Sequence, residues 1–154
     1  MTNIEKVRDF IFKQFQTQMD IPFRNIGIEH TLQVVSYAIM LSKKRNINSE
    51  EAMIAAYFHD ISTYLTHYSH NHATRSHEFA NEHLPKITTL SHEQILRITQ
   101  AIKNHSTKQI IHDDLSELLK DADVLAHYYS GTILDDIEKS TIREHLIVLF
   151  FIIM

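Results

Sequence analysis

The chain has 154 residues, 44% of them hydrophobic and 22% charged, with a net charge of −4. That is enough for one domain with a sizeable core, and it lacks the basic surface on which non-specific nucleic-acid binding relies. There is no cysteine, which excludes disulfides, thiolate metal sites and a cysteine nucleophile, whereas twelve histidines direct attention to imidazole and carboxylate chemistry.

Two glycines and two prolines are too few for a turn-rich β-sandwich and favour helices. Residues 4–16 carry Ile4, Val7, Phe10, Ile11 and Phe15 on a helical stripe. The N-terminal segment mixes charges of both signs and shows no signal-peptide pattern, so a cytoplasmic protein is expected. Residues 20–27, DIPFRNIG, contain a Pro and a Gly and read as a loop. A strong helix follows over 28–44. An Ala-rich helix then starts at Asn48 or Ser49, with acidic residues in its first turn. Residues 61–71 read as a loop long enough to be functional.

The next helix spans 72–84 and is closed by Pro85. Ser91 and Gln94 form a capping-box pattern opening a helix over 91–105. A helix over 113–129 stops before Gly131, and a last one is expected over 135–154. The tail 146–154, LIVLFFIIM, is far short of the roughly 20 apolar residues that span a bilayer. Burial in the core or in a homo-oligomer interface is its expected fate, and no membrane partner is implied. The sum is an all-α, single-domain bundle of about seven helices over residues 1–154.

Histidines and aspartates recur on the apolar faces of these helices. His30 is in line with Val34, Tyr37 and Leu41; His59 follows Ala52, Ala55 and Ala56; Asp60 follows Met53, Ala56 and Tyr57. His72 precedes Ser76, Phe79 and Ala80, His105 follows Ile98, Ala101 and Ile102, and Asp123 lies between Leu119 and Ala126. A lone buried carboxylate must be paired, protonated or metal-bound. A shared cation satisfies several such groups together, and His nitrogen with Asp oxygen suits Mn, Fe, Ni, Zn or Mg rather than Ca. His67, His70, His92, His112 and His145 read as surface residues, and His77 and His83 as exposed.

This ordered set resembles the HD superfamily of metal-dependent phosphohydrolases over about residues 26–130. IEHTLQVVSYAIMLS is similar to its first-His helix, EEAMIAAYFHDIS to its signature helix, and LLKDADVLAHY to its distal helix. The resemblance implies an all-helical HD-like fold and one metal held by His30, His59, Asp60 and Asp123, with Asp121 competing for the last place. HATRSHEFANEHL and ITQAIKNHS are similar to the segments that supply His72 and His105 to a second ion. The implied activity is cleavage of a phosphate ester of a nucleotide or related small molecule. Metal-activated water would be the nucleophile, with His59 and Asp60 at the reacting centre. Arg75 and Lys103 are candidates to bind the substrate phosphate, Ser62 and Thr63 to orient water or substrate, and His127 to support the ligands. The chain departs from the family at Ser62, where a Gly usually follows His-Asp-Ile, and at Ser106, where some two-metal members carry a second His of a pair. The alternative readings are a nucleotide-sensing HD module without turnover, a di-iron oxygenase on the same fold, and a structural helical protein whose histidines merely pack.

Overall fold

A computed structural model describes residues 1–18, 20–131 and 134–141. Among them are seven helices and no strand: α1 (Asn3–Gln16), α2 (Ile21–Arg45), α3 (Ser49–Phe58), α4 (Ile61–Thr66), α5 (His72–Ile87), α6 (His92–Asn104) and α7 (Asp114–Tyr129). A further helical stretch covers 136–141. The apolar tail 146–154, with its expected role in a core or an interface, lies outside the described residues, as does His145. No described helix is long and apolar enough to cross a membrane.

Helix α3 is the central element and packs against α1, α2, α5, α6 and α7. A helix can be surrounded only if it is apolar on all sides, and Ala52, Ile54, Ala55, Ala56 and Phe58 are all fully buried. The small alanines let the neighbouring helices come close, and the larger side chains arrive from those neighbours. Ile11 and Phe15 come from α1, Val34 and Leu41 from α2, Leu84 from α5, Ile98 and Ile102 from α6, and Leu118, Leu119 and Leu125 from α7. Side-chain caps set several helix starts. Asn48 accepts from the Glu51 amide, and Ser91 and Gln94 close the expected capping box.

Three boundaries differ from the sequence expectation. The stretch 20–27 is helical from Ile21, because Asp20 caps the helix through the Phe23 amide and Pro22 stands in the first turn, where a missing N–H costs nothing. Residues 61–66 form α4 rather than part of a loop. Pro85 lies inside α5, which continues to Ile87, with Leu84 buried beside it. Proline's own φ is helical, so a proline near the C-terminal end need not stop the last turn.

Gly27 serves packing rather than a turn. A Cβ there would lie 2.7 Å from atoms of both the Phe15 and Tyr64 rings. Gly27→Ala would gain about 1 kcal/mol of helix propensity, but overpacking costs about 1–3 kcal/mol. A net loss of stability, read as a melting temperature lower by a few degrees, is the expected result. An unchanged or raised melting temperature would contradict the close packing.

Candidate metal centre

His59 and Asp60 occupy the break between α3 and α4: His59 is the C-cap of the first helix and Asp60 the N-cap of the second. On a continuous helix, adjacent side chains diverge by about 100°. Here Asp60 has φ −114° and ψ 9°, in the bridge region, so the two neighbouring side chains reach one place. His30 enters from the middle of α2, Asp123 from α7, His72 from the first turn of α5, and His105 from the C-cap of α6.

These side chains form two groups that could each hold a metal ion: His30, His59, Asp60 and Asp123, and Asp60, His72 and His105. In the first, His30 Nε2 lies 3.2 Å from His59 Nε2 and 3.1 Å from Asp123 Oδ1. Asp60 Oδ2 is 3.6 Å from His30 Nε2 and 3.4 Å from His59 Nε2. In the second, His72 Nε2 and His105 Nε2 are 3.1 Å apart, and Asp60 Oδ1 is 3.2 and 3.1 Å from them. Metal–ligand bonds of about 2.1 Å put adjacent ligand atoms about 3.0 Å apart in an octahedral shell and about 3.4 Å in a tetrahedral one. All of these spacings but one fall in that range, the His30 Nε2–Asp60 Oδ2 distance being slightly longer at 3.6 Å. Asp60 turns one oxygen to each group.

The tautomers point the same way. The Nδ1–H groups of His59, His72 and His105 donate to the carbonyls of Ala56, Ser69 and Ile102 at 2.7, 2.9 and 2.6 Å. In the neutral rings this leaves each Nε2 as a lone pair facing another acceptor. Asp123 Oδ1 is buried and has no hydrogen-bond partner among the described residues. Clustered acceptors of this kind need a cation or extra protons, so the residues present fit a divalent metal.

Without one, protons take its place. Burial pulls the His59 pKa down, but Asp60 and Asp123 outweigh it and hold it up at about 10. His30 is likewise raised, with burial opposed by Asp123 and Asp60, and His72 is raised chiefly by its contact with Asp60. His105 is lowered by burial. Asp60 and Asp123 are held well below the usual carboxylate range despite burial, Asp60 mainly by His59 and Asp123 mainly by Lys108.

Asp121, the competitor for Asp123, points elsewhere and pairs with Arg45 at 2.6 Å. Arg75, expected to bind phosphate, is engaged otherwise. Its guanidinium donates to Thr66 Oγ1 at 2.9 Å, to the His70 carbonyl at 3.2 Å and to the Tyr68 carbonyl, bracing the turn between α4 and α5. Lys103 is exposed on α6. Ser62 is also a brace: its hydroxyl donates to the His72 carbonyl at 3.0 Å and accepts from Ser76, holding the start of α5 in place. His77 and His83, expected to be exposed, are half-buried, with Nδ1 bonded to the Thr99 and Phe79 carbonyls.

Three groups at the centre were not singled out from the sequence for their chemistry: Lys108, Glu138 and Tyr64. Lys108 Nζ is 2.7 Å from Asp123 Oδ2, and Glu138 Oε1 is 2.8 Å from His127 Nδ1. Neither has a periodic signal, since Lys108 stands in the α6–α7 loop and Glu138 follows α7 by nine residues. Tyr64 joins His30, Glu29, Gln33, His127 and Ser130 around a cavity of about 290 Å³ at the edge of the centre. Burial, then Asp60 and Asp123, raise the Tyr64 pKa, so its hydroxyl stays protonated. His127 stacks on His30 with ring centroids 5.0 Å apart.

Compared with known proteins, residues 27–128 match a family model described as the HD domain. Comparison with curated proteins gives no match. Among solved structures, the crystal structure of a predicted HD superfamily hydrolase from an uncultured Thermotogales bacterium is similar, with a TM-score of 0.65. The match covers 98% of this chain and 90% of that one at 21% identity, a likeness of fold.

Proposed function

The chain belongs to the HD domain family, and on that premise we propose that it is a metal-dependent phosphohydrolase cleaving a phosphate ester of a nucleotide or related small molecule. The observation that carries this reading is the Asp60 carboxylate, one oxygen facing His30 and His59 and the other facing His72 and His105. His30, His59, Asp60 and Asp123 would hold one divalent ion, and Asp60, His72 and His105 a second. Bound there, the ions supply Lewis acidity and a water that ionises near neutral pH.

The chain's own residues then do the rest. Two carboxylates facing two dications leave positive charge in excess, which favours a phosphate anion over a neutral ester. The four imidazoles add ligands without adding negative charge. The cavity beside His30 would take the organic part of the substrate. There the Tyr64 hydroxyl and the Gln33 amide can donate and the Glu29 carboxylate can accept. A carboxylate and an amide at that rim suit hydroxyl-bearing small molecules such as nucleosides.

The test is elemental analysis of protein purified without added metal, followed by phosphate release from a panel of phosphate monoesters and nucleotides with Mn²⁺, Ni²⁺ or Mg²⁺. We expect close to stoichiometric metal, and phosphate release that a chelator abolishes and a redox-inert ion restores. Oxygen consumption by the iron-loaded protein without phosphate release would favour the di-iron oxygenase instead. Metal binding with neither activity would favour the sensing module.

A further inference from the structure

Beside the two groups already described, Asp123, His127 and Glu138 form a third set whose ligand atoms lie within 4.8 Å of one another. Asp123 and His127 are four residues apart on α7 and share a face. Glu138 arrives from the segment after α7 and is oriented by its own cap: its backbone amide donates to Asp135 Oδ1 at 2.8 Å and its Oε2 accepts from the Asp135 amide at 3.2 Å. That leaves Oε1 for the interior, where it accepts from His127 Nδ1 at 2.8 Å.

Asp123 is 3% exposed and Glu138 7%. Two carboxylates buried side by side need a cation. One is present and covalently tethered: Lys108 Nζ lies 2.7 Å from Asp123 Oδ2 and 3.5 Å from Glu138 Oε1. Its contact uses Oδ2 of Asp123, while Oδ1 is buried without a hydrogen-bond partner among the described residues, 3.1 Å from His30 Nε2 and 3.5 Å from His127 Nε2.

We propose that Asp123, His127 and Glu138 form a third cation position whose resident cation is the Lys108 ammonium, which keeps a third metal ion out and turns a single Asp123 oxygen toward the metal centre. The inference rests on the ligand role given to Asp123 under the proposed function. It assigns the ammonium two tasks. One is to neutralise a buried acidic pair at no cost in free metal. The other is to limit Asp123 to one oxygen as a ligand, since Oδ2 is already engaged.

The test counts ions. Wild type, Lys108→Met, Lys108→Arg and the double variant Lys108→Met/Glu138→Gln are dialysed against Mn²⁺ and analysed for bound metal, with circular dichroism to monitor folding. Lys108→Met is expected to bind one ion more per chain than wild type. Lys108→Arg keeps the wild-type number, and the double variant loses the extra ion again. A Lys108→Met protein with the wild-type ion count and the native fold overturns the proposal. If that variant is unfolded without metal, recovery of its helical signal on adding Mn²⁺ supports the proposal, and failure to recover overturns it. Failure of the ligand centre itself is distinguishable, because wild type would then bind no ion.

Discussion

Replacing Asp60 by alanine is expected to remove bound metal and phosphate release together. Among the described residues, Asp60 alone is common to both ligand groups at the His59–Asp60 signature, and its oxygens lie 3.1–3.6 Å from four imidazole nitrogens. Its loss takes one ligand from each ion and the negative charge between them. Loss of metal-borne stabilisation of the transition state is worth several kcal/mol, so kcat/KM should fall by about 10³-fold or more. Metal content should fall below about a tenth of wild type, since even indirect supporting groups cost about 10–100-fold in affinity. Asp60→Asn keeps the shape without the charge and should show the same losses. His72→Ala should lower the metal content less, because it touches one group alone. Retained hydrolysis in Asp60→Ala, with metal content also retained, would sink the ligand assignment.

Metal is also expected to raise the melting temperature, by an amount that grows with pH. At a free-ion concentration 100 times Kd, the stabilisation is about 2.7 kcal/mol. For a chain of this size that is a shift of about 5–11 °C. The sign with pH follows from the raised histidines. In the metal-free protein, His59 holds its proton up to about 10, and His30 and His72 are raised too. Each raised pKa contributes stability that is fully present below the unfolded value near 6.5 and is lost as pH rises through the folded one, which for His59 is about 10. Metal competes with those same protons, so its affinity increases up to tenfold per pH unit for each proton displaced. Melts with Mn²⁺ and with chelator should therefore differ little at pH 5.5 and most at pH 8.5. A difference that shrinks between those values would contradict proton competition at the cluster.

The centre was legible to different depths. The six groups at the cluster stand on, or at the ends of, apolar stripes of helices that are periodic enough to read, as with His30 in line with Val34 and Leu41. The resemblance favoured Asp123 over Asp121, and periodicity did not separate them. Both are buried on α7, but two residues apart on a helix they point about 200° apart, and Asp121 turns to Arg45 on α2. Arg75 carries a charge one turn from His72, which reads as a phosphate clamp until the turn that wraps around it is seen. The start of α2 is hidden in the sequence because Pro22 and Gly27 read as loop residues, whereas one stands in a first turn and the other makes room for two rings.

By itself the sequence determined the helical class, the burial of α3 and the inward faces that carry the acidic and imidazole groups. Those are consequences of local periodicity and composition, which act between residues three and four apart. Tertiary structure alone decided that Lys108 and Glu138 meet Asp123 across 15 residues on either side. Coulombic pairing and coordination depend on distances of 3–4 Å in space, and no spacing along the chain encodes them.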